Sequence, residues 1–463
     1  MGDESTTERS RDRGKSLRTE VPRSSHGDWK PAADRPDPVD LITAQDTDRL
    51  QFLVPIRHWR MSRSAFTFYR GSAAIMASDL AGSPVTGLSA QICGDAHLSN
   101  FGTFGSPERD LVFDVNDFDE TLPGPWEWDV KSLGASLAFA ARHKEFDSED
   151  ESGLPSISAA SYRQAMARFA TMRYLDIWYS HLTADDIAAA FKDQVTKRER
   201  KRGEKFVRKA RSKGSIHAFR KLAEEGPDGY RIASQPPLIV PLRDMAAEES
   251  PEEAKAIVRD QFEQYRATLP DHMGVLLERF SYRDLALKVV GVGSVGTRCF
   301  IVLLKGRDAQ DPFFLQIKEA VGSVLEGHLP ASEYDHHGQR VVVGQRLMQA
   351  SSDSFLGWTT GSNGDTHYYW RQFKDMKGSV DVDRASLSTM RRYAGLCGWT
   401  LARAHARSGD AAAIAGYLGS GQVFDRALAE FSVAYADQNE RDYAAFVEAI
   451  DSGRIEATSD GSE

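Results

Sequence analysis

Apolar positions along the chain change their period several times, and each change marks an element. From Leu50 to Met61 and from Phe66 to Leu80 they recur every three to four residues, which predicts two helices. Residues 90–120 differ: short apolar runs alternate with Gly, Asp and Asn, the pattern of short strands and turns, with Leu111–Val115 as one strand. Helical spacing returns from Gly124 to about Arg142, over Ser158–His181 and over Thr183–Arg202. Residues 226–242 are punctuated by Pro and Gly and read as a connection. A helix is expected over Pro251–Thr268, and strands dominate from Tyr282 to Lys318. Ser332–Gln349 has helical spacing, His367–Phe373 reads as a strand, Leu387–Arg407 as a long helix, and helix continues to Ile450. No internal repeat is visible. The fold class expected from this order is α+β.

Two stretches carry recognisable chemistry. The first is Cys93-Gly94-Asp95-Ala96-His97-Leu98-Ser99-Asn100, followed by Asp117-Phe118-Asp119. An Asp with an Asn five residues later has the spacing of a phosphotransferase catalytic loop, in which the Asp takes the acceptor's proton and the Asn holds magnesium. A second Asp, on the turn after the next hairpin, completes that metal site. The other stretch runs from Leu287 to Leu304 and reads as strand, glycine turn, strand, with Gly291, Gly293 and Gly296 spaced G-x-G-x-x-G around Ser294. Glycines let backbone N–H groups approach phosphate oxygens with no Cβ in the way. In dinucleotide-binding units the same spacing opens a helix. Here the following residues, Arg298 to Leu304, are β-branched and aromatic enough to favour a strand. The next strand, Phe313 to Lys318, ends in a lysine among apolar residues, the setting of a lysine that grips α- and β-phosphates.

Composition adds bounds. The 463 residues are 41% hydrophobic and 27% charged, and the net charge of −9 gives no global reason to expect a nucleic-acid or membrane partner. No apolar run approaches the roughly 18 residues of a membrane span, and Met1 to Arg23 contains no signal-peptide core, so a cytoplasmic location is expected. Cys93, Cys299 and Cys397 lack metal or redox spacing and read as buried apolar residues. Residues 1–38 are polar and are expected to lack a fixed fold; Gly14-Lys15-Ser16 matches the end of a phosphate-binding loop, but no earlier glycine or apolar strand supports that match. Arg57, Arg60, Arg63 and Arg70 are assigned mostly to the surface. Lys192 to Lys221 holds thirteen Lys or Arg against three Asp or Glu and is read first as a solvated helical face.

These motifs resemble the protein-kinase-like superfamily, especially its aminoglycoside and choline kinases. Gly94 to Asn100 is similar to that branch's G-D-x-H-x-x-N loop, and Asp117-Phe118-Asp119 to its metal-binding turn. The resemblance implies ATP and Mg2+ as cofactors, Asp95 as base, Asn100 and Asp117 as metal ligands, and Lys318 with Gly291, Gly293, Ser294 and Gly296 around the phosphates. It also implies that Asp129, twelve positions after Asp117, braces the catalytic loop, and this offset selects Asp117 over Asp114 and Asp119. His97 is read as a loop brace donating to a backbone carbonyl. Nearly the whole chain resembles a bacterial family, domain of unknown function 2252, through its C-G-D-A-H-x-x-N-F-G and N-D-F-D-E signatures and the segment Tyr369 to Ser379.

The order of the motifs departs from ordinary kinases, since the catalytic loop precedes the glycine turn. A circular permutation of a two-lobed kinase-like fold accounts for it. The expected layout is a disordered segment at 1–38, a helical lobe bearing the catalytic loop at 39–280, a β-rich nucleotide lobe at 281–380, helices completing the first lobe at 381–452, and a flexible tail at 453–463. Glu326 and Glu333 are candidate partners for Lys318. His405 and Asp410 could form a rival loop, but the position five after Asp410 is Ala415, which cannot hold magnesium, so both are read as structural. The expected function is phosphoryl transfer from ATP to a hydroxyl acceptor, a small molecule more than a protein. AMP transfer to a protein and a non-catalytic nucleotide switch stand as alternatives.

Overall fold

The computed structural model describes residues 6–227, 229–245, 251–308, 310–373 and 375–461. It is mixed α+β with several antiparallel sheets. The largest has six antiparallel strands in the order Gly357–Thr360, His367–Gln372, Pro312–Ala320, Cys299–Lys305, Ser281–Lys288, Ile239–Pro241. Its central strand, Pro312–Ala320, is buried at every position but one, because both faces are covered. Phe313, Leu315 and Ile317 pack with Tyr265, Leu269 and Leu277 on one face, beneath the helices Pro251–Ala267 and Asp271–Leu277. Phe314 points the other way, to Ala218 and Leu222 of the helix Ser215–Leu222. Gln316 and Lys318 share that second face by the two-residue period of a strand.

The rest is mainly helical. The helix Trp126–His143 is buried from Trp126 to Ala141, and its Gly, Ala and Ser positions let other helices approach on all sides. Around it pack Ser148–Phe169, Leu387–Ala406 and Val423–Asp451. A second, three-stranded sheet, Phe101–Gly105, Leu111–Val115 and Leu182–Thr183, lies at the edge of this body. Among the described residues no helix is long and apolar enough to cross a membrane.

Several expectations change. The expected disordered segment 1–38 is ordered where it is described: residues 6–20 form a helix that packs on Ala411–Leu418, and Arg23–Gly27 a short helical turn, while residues 1–5 lie outside the described residues. The contact is close: a Cβ on Gly14 would stand 1.9 Å from the Ala413 carbonyl oxygen, and one on Gly416 2.2 Å from that of Arg11. His26 is buried behind this helix and bonds the Tyr417 hydroxyl at 2.7 Å. The expected flexible tail is also held, within residues 453–461: Ile455 is buried, and Thr458 N–H bonds the Pro55 carbonyl at 3.0 Å. The Phe66–Leu80 helix is two, Ala65–Tyr69 and Ala73–Ala81, and Thr183–Arg202 divides into Ala184–Ala190 and Lys197–Arg211, each with its own capping box. The helix expected at Ser158 begins at Ser148 and ends at Phe169. The connection over 226–242 contains a hairpin, Ala223–Gly226 with Gly229–Ile232.

Because Gly14 meets backbone and not a movable side chain, Gly14→Val is expected to lower stability by about 1–3 kcal/mol, the range for overpacking. Urea denaturation at unchanged m-value checks it.

Candidate functional site

Strand Ser89–Ile92 pairs with Leu122–Pro125 and delivers the chain to Gly94. Gly94 has φ +78°, and a Cβ there would meet the Glu120 carbonyl oxygen at 2.6 Å, so the turn requires glycine. Asp129, in the first turn of the buried helix, accepts from the Cys93 and Gly94 N–H groups at 2.8 and 2.9 Å. The same carboxylate lies 3.1 Å from His405 Nε2, and His405 Nδ1 is 2.9 Å from the Tyr162 hydroxyl. His405 therefore joins the C-terminal helices to the loop, as expected of a structural residue, and Asp410 caps Ala411–Leu418. Beyond Gly94, Asn100 Nδ2 donates to the Asp95 carbonyl at 2.8 Å and closes the loop on itself.

The second turn is tied to the first by Asn116 N–H on the Asn100 carbonyl, 2.7 Å. Phe118 is buried beneath it, while Asp117 and Asp119 face the sheet. Lys318, 2% exposed, reaches Asp119 Oδ2 at 2.5 Å and Asp117 Oδ1 at 3.9 Å. Tyr369 donates to the other oxygen of Asp119 at 2.7 Å. The lysine's acidic partners are thus Asp119 and Asp117, not Glu326 or Glu333; Glu326 lies by Arg340. Asp114 is bound to Arg403 in a buried ion pair and faces away from the site's chemistry. Asp117 Oδ1 is buried without a hydrogen-bond partner among the described residues.

The glycine segment is a turn between two antiparallel strands, Ser281–Lys288 and Cys299–Lys305. Gly291 and Gly296 have φ +65° and +91°. Its carbonyls are held from outside: Arg60 Nη1 bonds Gly291 O at 2.6 Å, Arg49 Nη1 bonds Gly293 O at 2.8 Å and Val295 O at 2.6 Å, and Leu50 N–H bonds Gly296 O at 2.8 Å. Gly291, Gly293 and Ser294 line a cavity of about 340 Å³ with Asp95, His97, Asn100 and Asp117, whereas Gly296 does not. Asp117, Gly291 and Ser294 also line an adjoining cavity of about 750 Å³ with Lys318, whose walls include Val289, Phe355, Phe373, Gln316 and Arg371. The structure brings Asp95, Asn100, Asp117 and Lys318 together at the junction of the two.

Electrostatics divide these groups. Burial first, then Asp117 and Glu120, push the Asp95 carboxyl well above its usual range. Burial opposes ionisation of Asp117, but Lys318, Arg371 and Lys377 outweigh it and hold that carboxyl low. Burial also works against the Lys318 ammonium, yet Asp117 and Asp119 raise its pKa well above the ordinary value. His97 falls to about 3 through burial and then the Arg70 charge, so it is neutral. Its Nε2 is 3.5 Å from Asp95, and Nδ1 has no hydrogen-bond partner among the described residues.

Asn100 and Asp117 could hold a magnesium ion together with phosphate oxygens, since that ion commonly takes only one or two carboxylates from protein. The orphaned Asp117 oxygen fits that use. No cluster of three or more His, Cys, Asp or Glu that could hold a metal occurs among the described residues, so a dedicated protein cage is not present there. Tyr369, Arg371, Arg49 and Arg70 line or support the site without having been assigned to it from sequence. Strand alternation places Tyr369 and Arg371 opposite Lys318 and Gln316 in register, a signal the sequence carried. Arg57, expected at the surface, is fully buried on Asp46.

A family model described as an uncharacterised protein conserved in bacteria, domain of unknown function 2252, matches residues 49–449, and the chain belongs to that family. Nothing among the curated proteins matches the chain, and no solved structure does. Asp129→Ala strands the buried Cys93 N–H, the half-buried Gly94 N–H and His405 at once. It is expected to cost about 3–5 kcal/mol, read as a lower urea midpoint.

Proposed function

We propose that this family member is an ATP- and magnesium-dependent phosphotransferase acting on a hydroxyl acceptor, built on a circularly permuted two-lobed kinase-like fold. The observation that carries the reading is the meeting of Asp95, Asn100 and Asp117 with Lys318 beneath a glycine turn. These groups come from chain segments about 200 residues apart, Lys318 and Asp119 being 199 positions apart.

Each residue has a task that follows from its surroundings. Lys318 is a charge fixed by two carboxylates and stands where it can bind α- and β-phosphate oxygens. The apolar walls and amides of the 750 Å³ cavity suit a nucleobase. The glycine turn covers the phosphates at the boundary with the smaller cavity. Asn100 and Asp117 would hold magnesium, which neutralises charge on the β- and γ-phosphates. Asp95, in the smaller cavity, orients the acceptor and takes its proton. Catalysis of this kind rests on positioning and fixed charge.

The test is a thermal-shift series. ATP with magnesium raises the melting temperature of the native chain by mass action. Lys318→Ala weakens the shift, and Asp117→Ala removes its magnesium dependence. Asp95→Asn keeps the shift while background ATP hydrolysis falls by about 10²–10⁴-fold, the usual contribution of a positioned base. No shift with ATP, GTP or ADP at millimolar concentration refutes the reading. Equal hydrolysis by wild type and Asp95→Asn removes the catalytic role of Asp95.

A further inference from the structure

Arg70 is a charged group in the site that the roles above do not use. It stands in the break between the helices Ala65–Tyr69 and Ala73–Ala81. Gly71 follows it, where a Cβ would meet the Met61 side chain at 2.8 Å. The Arg70 carbonyl lies against the glycine turn, 3.1 Å from where a Cβ on Gly293 would stand. The residue lines the smaller cavity with Asp95, His97 and Asn100. It is near enough to draw the pKa values of Asp95 and His97 downward.

The other arginines around the site are engaged. Arg49 and Arg60 hold the glycine turn, Arg57 holds Asp46 and the Gly71 carbonyl, and Arg340 binds three backbone carbonyls. Arg371 donates to Gln316. Arg70 makes no side-chain hydrogen bond or ion pair among the described residues, and its Nε is buried without a partner. A largely buried guanidinium with unmet donors is costly unless an anion completes it. Asp95 and Asp383 both favour its charge, but neither pairs with it among the described residues, so its donors are open to an anion that enters.

We propose that Arg70 is a catalytic residue that binds the phosphoryl group while it passes from ATP to the acceptor. This rests on the phosphotransferase reading. In the transfer, the acceptor oxygen bonds to the γ-phosphorus as the bond from that phosphorus to the bridging oxygen breaks. ADP leaves with the electron pair, and the acceptor proton passes to Asp95. The group in flight carries its charge on three peripheral oxygens. A planar guanidinium donates two parallel bonds to such an edge. Arg70 lines one cavity with Gly293, on the wall that would carry phosphates, and with Asp95, which would face the acceptor.

The experiment is a thermal-shift comparison of the full chain with magnesium and ATP, ADP, or ADP plus aluminium fluoride, which forms a planar mimic of the transferring group. Wild type is expected to gain a further shift from aluminium fluoride. Arg70→Ala keeps the ATP and ADP shifts and loses that gain, Arg70→Lys recovers part of it, and ATP turnover of Arg70→Ala falls by about 10³-fold or more. If Arg70→Ala does not fold, Arg70→Gln, a shorter, uncharged side chain that keeps the stem and an amide donor, takes its place. An equal aluminium fluoride gain in wild type and variant overturns the assignment and leaves the phosphotransferase reading standing. Loss of the ATP and ADP shifts in a folded variant overturns it also, placing Arg70 in ground-state binding. A wild type that responds to no nucleotide overturns both.

Discussion

An ammonium group that is 2% exposed must be paired, and the pairing of Lys318 organises the site. Taking it out of water costs several kcal/mol, which only well-placed carboxylates offset. They come from the Asp117-Phe118-Asp119 turn. Asp119 takes the short contact, and its remaining oxygen is satisfied by Tyr369. Arg340 holds the backbone of the same residue at 2.8 Å. With Asp119 spent in this way, Asp117 keeps one oxygen without a hydrogen bond. The two aspartates therefore differ in work though they are two residues apart: one fixes the turn to the sheet, and the other stays available. With neither at hand, Lys318 would be an uncompensated buried charge.

The same logic extends to the glycine turn. Its carbonyls are bonded by Arg49, Arg60 and the Leu50 N–H, all from a segment that precedes the catalytic loop. That segment has its own centre in Asp46, which receives Arg57 at 2.7 Å and His58 at 2.8 Å. Arg60 also pairs with Asp460 at 2.6 Å, so the C-terminal residues reach the turn through one side chain. Ordering a glycine-rich turn costs conformational entropy, and here contacts within the chain meet much of that cost before any ligand arrives.

What could be read from the sequence depended on whether local pattern or distant packing decided the outcome. Long apolar stripes were legible: Leu387–Arg407 against the observed Leu387–Ala406, and the strand Leu111–Val115 without change. The split at Thr196 was legible too, since Thr196 and Glu199 are a capping-box pair, but charge density masked it. The N-terminal helix was not, because its composition is that of a disordered segment and its close packing depends on residues about 400 positions away, Gly14 against the Ala413 backbone and Gly416 against that of Arg11. In the site, the spacing of Asp95 and Asn100 and the offset of Asp129 were local and could be placed. The partner of Lys318 was sought among nearby acids, whereas the fold supplied it from far away.

The segment 375–378, where the six-stranded sheet gives way to the long helix Leu387–Ala406, shows how the basic stretch enters the architecture. Gly378 exchanges backbone hydrogen bonds with Thr103, on the strand that follows the catalytic loop. Met376 N–H bonds the Lys213 carbonyl at 2.7 Å, and a Cβ on Gly378 would meet the Phe206 ring at 2.7 Å. Phe206, Val207 and Ala210 form the inward face of the helix Lys197–Arg211, and Lys201, Lys205, Arg208 and Lys209 remain exposed. The strongly cationic helix is thus seated, through a small apolar face, on a segment whose Asp375 and Lys377 line the larger cavity. A displacement of that helix would have to move either the Thr103–Gly378 pairing or the cavity wall. The solvated face and the cavity therefore share one support, although the cationic face contributes nothing to the site directly.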